Sequence, residues 1–78
     1  MKRFDVHAAW DQESGIWWAT SDSLPLTTEA ASFDQLVERV LEIAPEIAEM
    51  NGHVSAGEQV EIHVIGERVQ SVSVPATV

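Results

Sequence analysis

Between Ser32 and Asn51 the sequence SFDQLVERVLEIAPEIAEMN carries one long amphipathic helix, and it limits what the rest of the chain can become. Phe33, Leu36, Val37, Val40, Leu41, Ala44, Ile47 and Ala48 recur at helical spacing and form one broad apolar stripe. Ser32 can cap the first turn, with Gln35 three residues on, as a capping box requires. Asn51-Gly52 is a stop signal, so the helix is expected from Phe33 to Met50. Pro45 lies inside it and removes a hydrogen bond, at a cost of ~3 kcal/mol or more in a helix interior. On a helical wheel Pro45 falls on the polar side, between Glu38 and Glu49, and the stripe keeps its phase through Ile47 and Ala48. The pattern therefore predicts a single kinked helix. A single helix can cover only one face of a sheet.

The flanking segments read as strands. Phe4, Val6, Ala8 and Trp10 alternate with polar or small neighbours. Asp11-Gln12-Glu13-Ser14-Gly15 is a polar turn ending in glycine, and a second strand follows from Ile16 to Ser21. Leu24-Pro25-Leu26 reads as a loop leading to a short edge strand, where proline is tolerated. Gln59 to Ile65 alternates again, and Gly66-Glu67 is expected to turn the chain into a weak last strand, Val69 to Val74, before a frayed end. The fold class is α+β, with order β-β-β-α-β followed by that weak strand. Strand four should lie parallel to strand one in a mixed sheet ordered three-two-one-four, joined by a right-handed crossover.

Alternation assigns the faces. Phe4, Val6, Ala8, Trp10, Val60, Ile62 and Val64 should point at the helix; Asp5, His7, Ala9, Glu61 and His63 should point away. The adjacent pair Trp17-Trp18 must split between the two. Ile16, Trp18 and Thr20 form one set, and a branched apolar residue at the strand start marks the better core set. Trp18 is therefore expected inward and Trp17 outward, at the contact of a homodimer formed through the open sheet face or its edge.

Seventy-eight residues make one domain, 1–78. A chain this short buries only ~60–65% of the surface it exposes when unfolded, so a partner helps it. There is no cysteine, which excludes disulfides and thiolate metal sites. The net charge of −9 opposes direct contact with nucleic acid and favours a basic partner. The start lacks the apolar core of a signal peptide, and no apolar run approaches a membrane span. A cytoplasmic protein is expected, with no membrane contact.

Catalysis is not expected. Asp5, Glu38 and Glu61 sit on elements where a metal-dependent nuclease carries carboxylates, but they should fall on two different surfaces and cannot share an ion. His7 and His63 should lie near Asp5 and Glu61 on the open face, yet the plain reading is two surface histidines, since zinc needs three or four ligands. No metal and no cofactor is expected. Glu38, Glu42 and Glu46 are spaced by four, with Asp34 and Glu49 on the same side and Arg39 as the nearby cation. Like charges at that spacing repel by ~0.2–0.5 kcal/mol per pair. A solvated acidic face explains them, and so does a docking stripe for a basic protein.

The hairpin turn at Gly15, the tryptophan-rich second strand, the Leu24-Pro25-Leu26 loop and the helix SFDQLVERVLEIAPEIAEMNG together resemble the HicB-like antitoxin superfamily, over roughly residues 4 to 65. The similarity is greatest to its small single-domain branch of unknown function. The resemblance implies a partial ribonuclease-H-like fold and an antitoxin that blocks a small, basic, RNA-cleaving toxin. Asp34, Glu38, Glu42 and Glu46 would then steer and pair, with Trp17 as anchor. No C-terminal DNA-binding domain is expected, unlike many members of the family, and Pro25-Leu26 stands where a proline-glycine pair is usual. The alternative is an orphan homodimeric domain that binds another protein or a small ligand on its open sheet face.

Overall fold

The computed structural model describes residues 1–76. Four strands and one helix follow in the order β1 (Lys2–Asp11), β2 (Ile16–Thr20), β3 (Thr27–Ala30), α1 (Phe33–Met50) and β4 (Val60–Glu67). The sheet order is β3-β2-β1-β4, with β1 antiparallel to β2, β2 antiparallel to β3, and β1 parallel to β4. This is the expected α+β architecture. A long crossover, here carried by α1, brings β4 back parallel to β1, because a tight turn joins antiparallel strands alone.

The ends of α1 follow from their residues. The Ser32 hydroxyl accepts from the Gln35 N–H at 3.2 Å, satisfying one orphan donor of the first turn. At the other end Gly52 has φ +74°, a left-handed conformation that glycine adopts without penalty. The Gly52 N–H donates to the Glu49 carbonyl at 3.1 Å and the His53 N–H to the Ala48 carbonyl at 2.9 Å, which is a Schellman closure. The helix runs unbroken through Pro45, whose ring lies on the exposed side. Leu36, Val40, Ala44 and Ala48 are fully buried. Leu41 is half exposed, outside the stripe assigned to it, and Ile43 packs at the margin of the core instead.

The core lies between α1 and one face of the sheet, with Phe4, Val6, Ala8, Trp17, Ala19 and Ala30 supplied by the strands. Two expectations fail here. The first concerns the tryptophans: Trp17 is 9% exposed and faces the helix, whereas Trp18 is 45% exposed on the opposite face. The hairpin decides it. The Gly15 N–H donates to the Asp11 carbonyl at 2.8 Å across a four-residue loop, and Asp11 pairs with Ile16. Cross-strand partners share a face, so Trp10, which points inward, brings Trp17 in with it. Ile16 stands opposite outward Asp11 and is no marker of the core. The second concerns the C-terminus: β4 continues straight through Gly66 and Glu67, and residues 68–76 pair with no strand among the described residues. The frayed end expected past Val74 includes residues 77 and 78, which lie outside the described residues.

Gly66 is where β4 meets the helix. A Cβ placed there would stand 2.5 Å from Phe33 Cε2. The Phe33 ring is itself held edge-on against Trp17, with centroids 5.1 Å apart, so it cannot simply swing away. Gly66→Ala is therefore expected to cost about 1–3 kcal/mol, the usual penalty of overpacking. Urea denaturation checks this. Placing Gly66→Ala in a Phe33→Ala background should recover most of the loss, because that ring is the obstacle; a fully additive double variant would contradict the account.

Candidate functional site

Two surfaces can meet a partner, and the fold sets them on opposite sides of the molecule. The first is the face of the sheet away from α1. Register places Arg3, Asp5, His7 and Ala9 of β1 there, beside Glu61, His63, Ile65 and Glu67 of β4 on one flank and Trp18 and Thr20 of β2 on the other. Trp18 stands between Ala9 and Glu29, its cross-strand neighbours. The small Ala9 side chain leaves one side of the indole open. Ile65 is 49% exposed one strand further along. Trp18, Ile65 and half-buried Ile16 are the large apolar groups of an otherwise polar face.

Charges on this face are locally matched. Arg3 Nε donates to Asp5 Oδ1 at 2.8 Å. That hydrogen bond holds the Asp5 carboxyl below the usual carboxylate range, with Arg3, His63 and His7 adding charge attraction. His63 stands opposite Asp5 in the β1–β4 register, and its Nε2 lies 3.2 Å from Glu61 Oε1. His7 stands opposite Ile65, one step along the same face. The two histidines thus share a surface with Asp5 and Glu61, as the alternation implied. Among the described residues no three potential ligands gather closely enough to hold a metal ion. Glu38 lies apart, on the outer side of α1.

The hairpin at the end of this face is tied by Asp11. Its Oδ1 accepts from the Glu13 N–H at 3.0 Å and the Ser14 N–H at 3.4 Å. Hydrogen bonding from Ser14, reinforced by Glu13, holds the Asp11 carboxyl below its ordinary value. Such an Asx turn fixes the loop length, and the loop length fixes which tryptophan is outside.

The second surface is the outer ridge of α1. Asp34, Glu38, Glu42 and Glu46 are all exposed and follow one another at i, i+4. Gln35, Glu38, Arg39 and Glu42 line a shallow depression along it. The ridge is the acidic stripe expected from the sequence. It does not adjoin Trp17, which is buried beneath the helix, nor Trp18, which is on the far side of the sheet. The assignment of Trp17 as an anchor beside Asp34, Glu38, Glu42 and Glu46 is therefore corrected: no surface contains all five. The signal that could have placed the tryptophans was the parity of the hairpin, counted outward from Trp10.

Between the two surfaces runs a chain of contacting aromatic and cationic groups that sequence reasoning missed. The Arg68 guanidinium carbon lies 4.1 Å from the Trp10 ring centroid, Trp10 and Trp17 centroids are 5.6 Å apart, and Trp17 meets Phe33. It joins β4, β1, β2 and α1 at one end of the sheet and fixes the direction in which the chain leaves β4. No helix among the described residues is long and apolar enough to cross a membrane.

No curated protein matches the sequence. Among solved structures, the crystal structure of hypothetical protein TTHA1013 from the extremely thermophilic bacterium Thermus thermophilus is similar, with 31% identity and a TM-score of 0.68, over 94% of this chain and 100% of that one. The likeness covers nearly the whole length of both chains, so the fold is shared. Residues 3–75 match the family described as a domain of unknown function (DUF1902), from the start of β1 to the tail beyond β4, and the chain belongs to that family.

Proposed function

We propose that the chain is a HicB-like antitoxin-type module that binds and masks a small, basic, RNA-cleaving protein. The observation that carries this reading is the acidic ridge of α1. Asp34, Glu38, Glu42 and Glu46 are presented to solvent, with Arg39 as the cation beside them, in a chain of net charge −9. Like-charge repulsion along the ridge opposes these carboxylates, so the ridge costs the isolated domain stability that a cationic partner would return. The resemblance of the hairpin, the Leu24-Pro25-Leu26 loop and the helix to HicB-like antitoxins supplies the class of partner.

Co-expression with a small basic ribonuclease encoded beside it should suppress RNA cleavage, and the two should co-purify. Replacing Glu38, Glu42 and Glu46 together by Gln should slow association and flatten its salt dependence, since charge acts mainly on the encounter rate. The same variant should be as stable as the parent or slightly more so. Association at the parent's rate in low salt would remove the ridge from the binding site.

Trp18 favours a second reading, an orphan domain that self-associates or takes another protein or small ligand on its open sheet face. An indole with 45% exposure on the same face as an exposed isoleucine across β1 gives that face two apolar groups of the kind found at an interface centre. Sedimentation of the isolated protein, with and without Trp18→Ala, separates this reading from the first. Neither reading assigns the chain a reaction or a cofactor.

A further inference from the structure

The tail after β4 has a sequence suited to a strand, an exit direction fixed by Arg68, and no partner among the described residues. Val69, Val72 and Val74 are 71%, 86% and 89% exposed. The described residues extend 64 Å along their longest axis, with a Cα radius of gyration of 16.2 Å, against about 11–12 Å for a compact chain of this length. The family match runs through Pro75, so this segment belongs to the shared length of the domain. We propose that residues 69–74 pair with the free edge of β4 in a second copy of the chain, and that the second copy's tail pairs with β4 of the first.

Four observations converge on that occupant. β4 is an eight-residue edge strand with no proline and no lysine, the devices that usually protect an edge from strand addition. The six residues 69–74 are enough to cover Val60 to Ile65 of it, and Pro75 ends the stretch that can donate to a ladder. Its phase is also set. Even-numbered residues of β4 face the helix, and Arg68 keeps that phase by lying over inward Trp10. Continued alternation puts Val72 and Val74 on the core side and Val69 on the open face. An antiparallel pairing about a two-fold axis at Glu67 then sets Val74 opposite Val60, Val72 opposite Ile62 and Val69 opposite Ile65, three apolar pairs whose members share a face; the two copies' Glu67 meet on the axis, a like-charge pair with an Arg68 next to each in the chain. Finally, residues 68–76 carry one cation and no acid, whereas β4 carries Glu61 and Glu67 and the whole chain has net charge −9. The tail therefore adds no acidic charge to a contact between two acidic copies. Arg68 pins the exit on Trp10, and β4 passes through Gly66 and Glu67 without turning, so the tail is directed away from its own edge.

This inference deepens the self-association reading, and it places the contact at the sheet edge rather than at Trp18. Sedimentation of the full chain at high micromolar concentration should give a dimer. Hydrogen exchange should show amides 69–74 protected in it. Val72→Lys combined with Val74→Lys should leave the fold intact, because both side chains are exposed in the monomer, yet weaken dimerisation about tenfold or more. A monomeric full chain, a dimer whose tail amides exchange freely, or a dimer that the lysine pair leaves unchanged would each overturn the exchange. Loss of the dimer on Trp18→Ala with no effect of the lysine pair would do the same while leaving the sheet-face reading intact.

Discussion

Trp17→Ala should remove about 3–5 kcal/mol of stability, as truncation of a buried large aromatic does. Its neighbour Trp18→Ala should cost much less, about 1 kcal/mol, the scale of a cross-strand side-chain contact on a half-exposed face. Two adjacent residues of the same type thus differ in effect by several kcal/mol. Trp17 is buried between Trp10 at 5.6 Å and Phe33 at 5.1 Å, and it fills the corner where β1, β2 and the first turn of α1 meet. Its loss also leaves Phe33 unsupported over Gly66 and Trp10 with Arg68 alone against its ring. A domain of this size has only ~5–15 kcal/mol in total, so the Trp17 substitution removes a large share of it. Urea titrations followed by far-ultraviolet circular dichroism decide the matter without relying on tryptophan emission. A stable Trp17→Ala protein beside an unfolded Trp18→Ala protein would mean that the hairpin is shifted by one residue.

That shift is where reading the sequence and seeing the structure part company. Alternation in β1 and β4, the capped helix and the length of the crossover were enough to place every strand, including the parallel pairing of β1 with β4. Such features repeat over several residues, so one ambiguous position cannot undo them. The face of Trp17 rests on a single count, the four residues between Asp11 and Ile16, and on nothing periodic within the five-residue β2. A one-residue change in register exchanges all inward and outward side chains of a strand. The acidic ridge was legible because helical spacing alone defines it. The run of contacts from Arg68 to Phe33 was not, since its members are far apart in sequence and meet only through the sheet order. The expected turn at Gly66-Glu67 failed for a related reason: that glycine makes room for the Phe33 ring and has no part in reversing the chain.

Leu26→Ala is the other substitution expected to be severe, at about 2–5 kcal/mol. Leu24 and Leu26 lie in a segment without regular structure, where side chains are ordinarily exposed, yet each is only 2% exposed. Pro25 between them explains how. The Leu26 N–H donates to the Leu24 carbonyl at 2.7 Å, closing a three-residue turn around an exposed proline. Proline holds φ near −65°, close to what the centre of such a turn requires. The turn lets both leucines reach the core, and no alternation or helical period announces it. Pro25→Ala should therefore be milder than either leucine truncation, costing about 0.4–1 kcal/mol through greater freedom of the unfolded chain. Thermal and urea denaturation of the three variants give the ranking. Should Leu26→Ala cost under about 1 kcal/mol, below the range for a buried leucine, the loop would not be part of the core, and β3 would have to be held by its ladder with β2 alone.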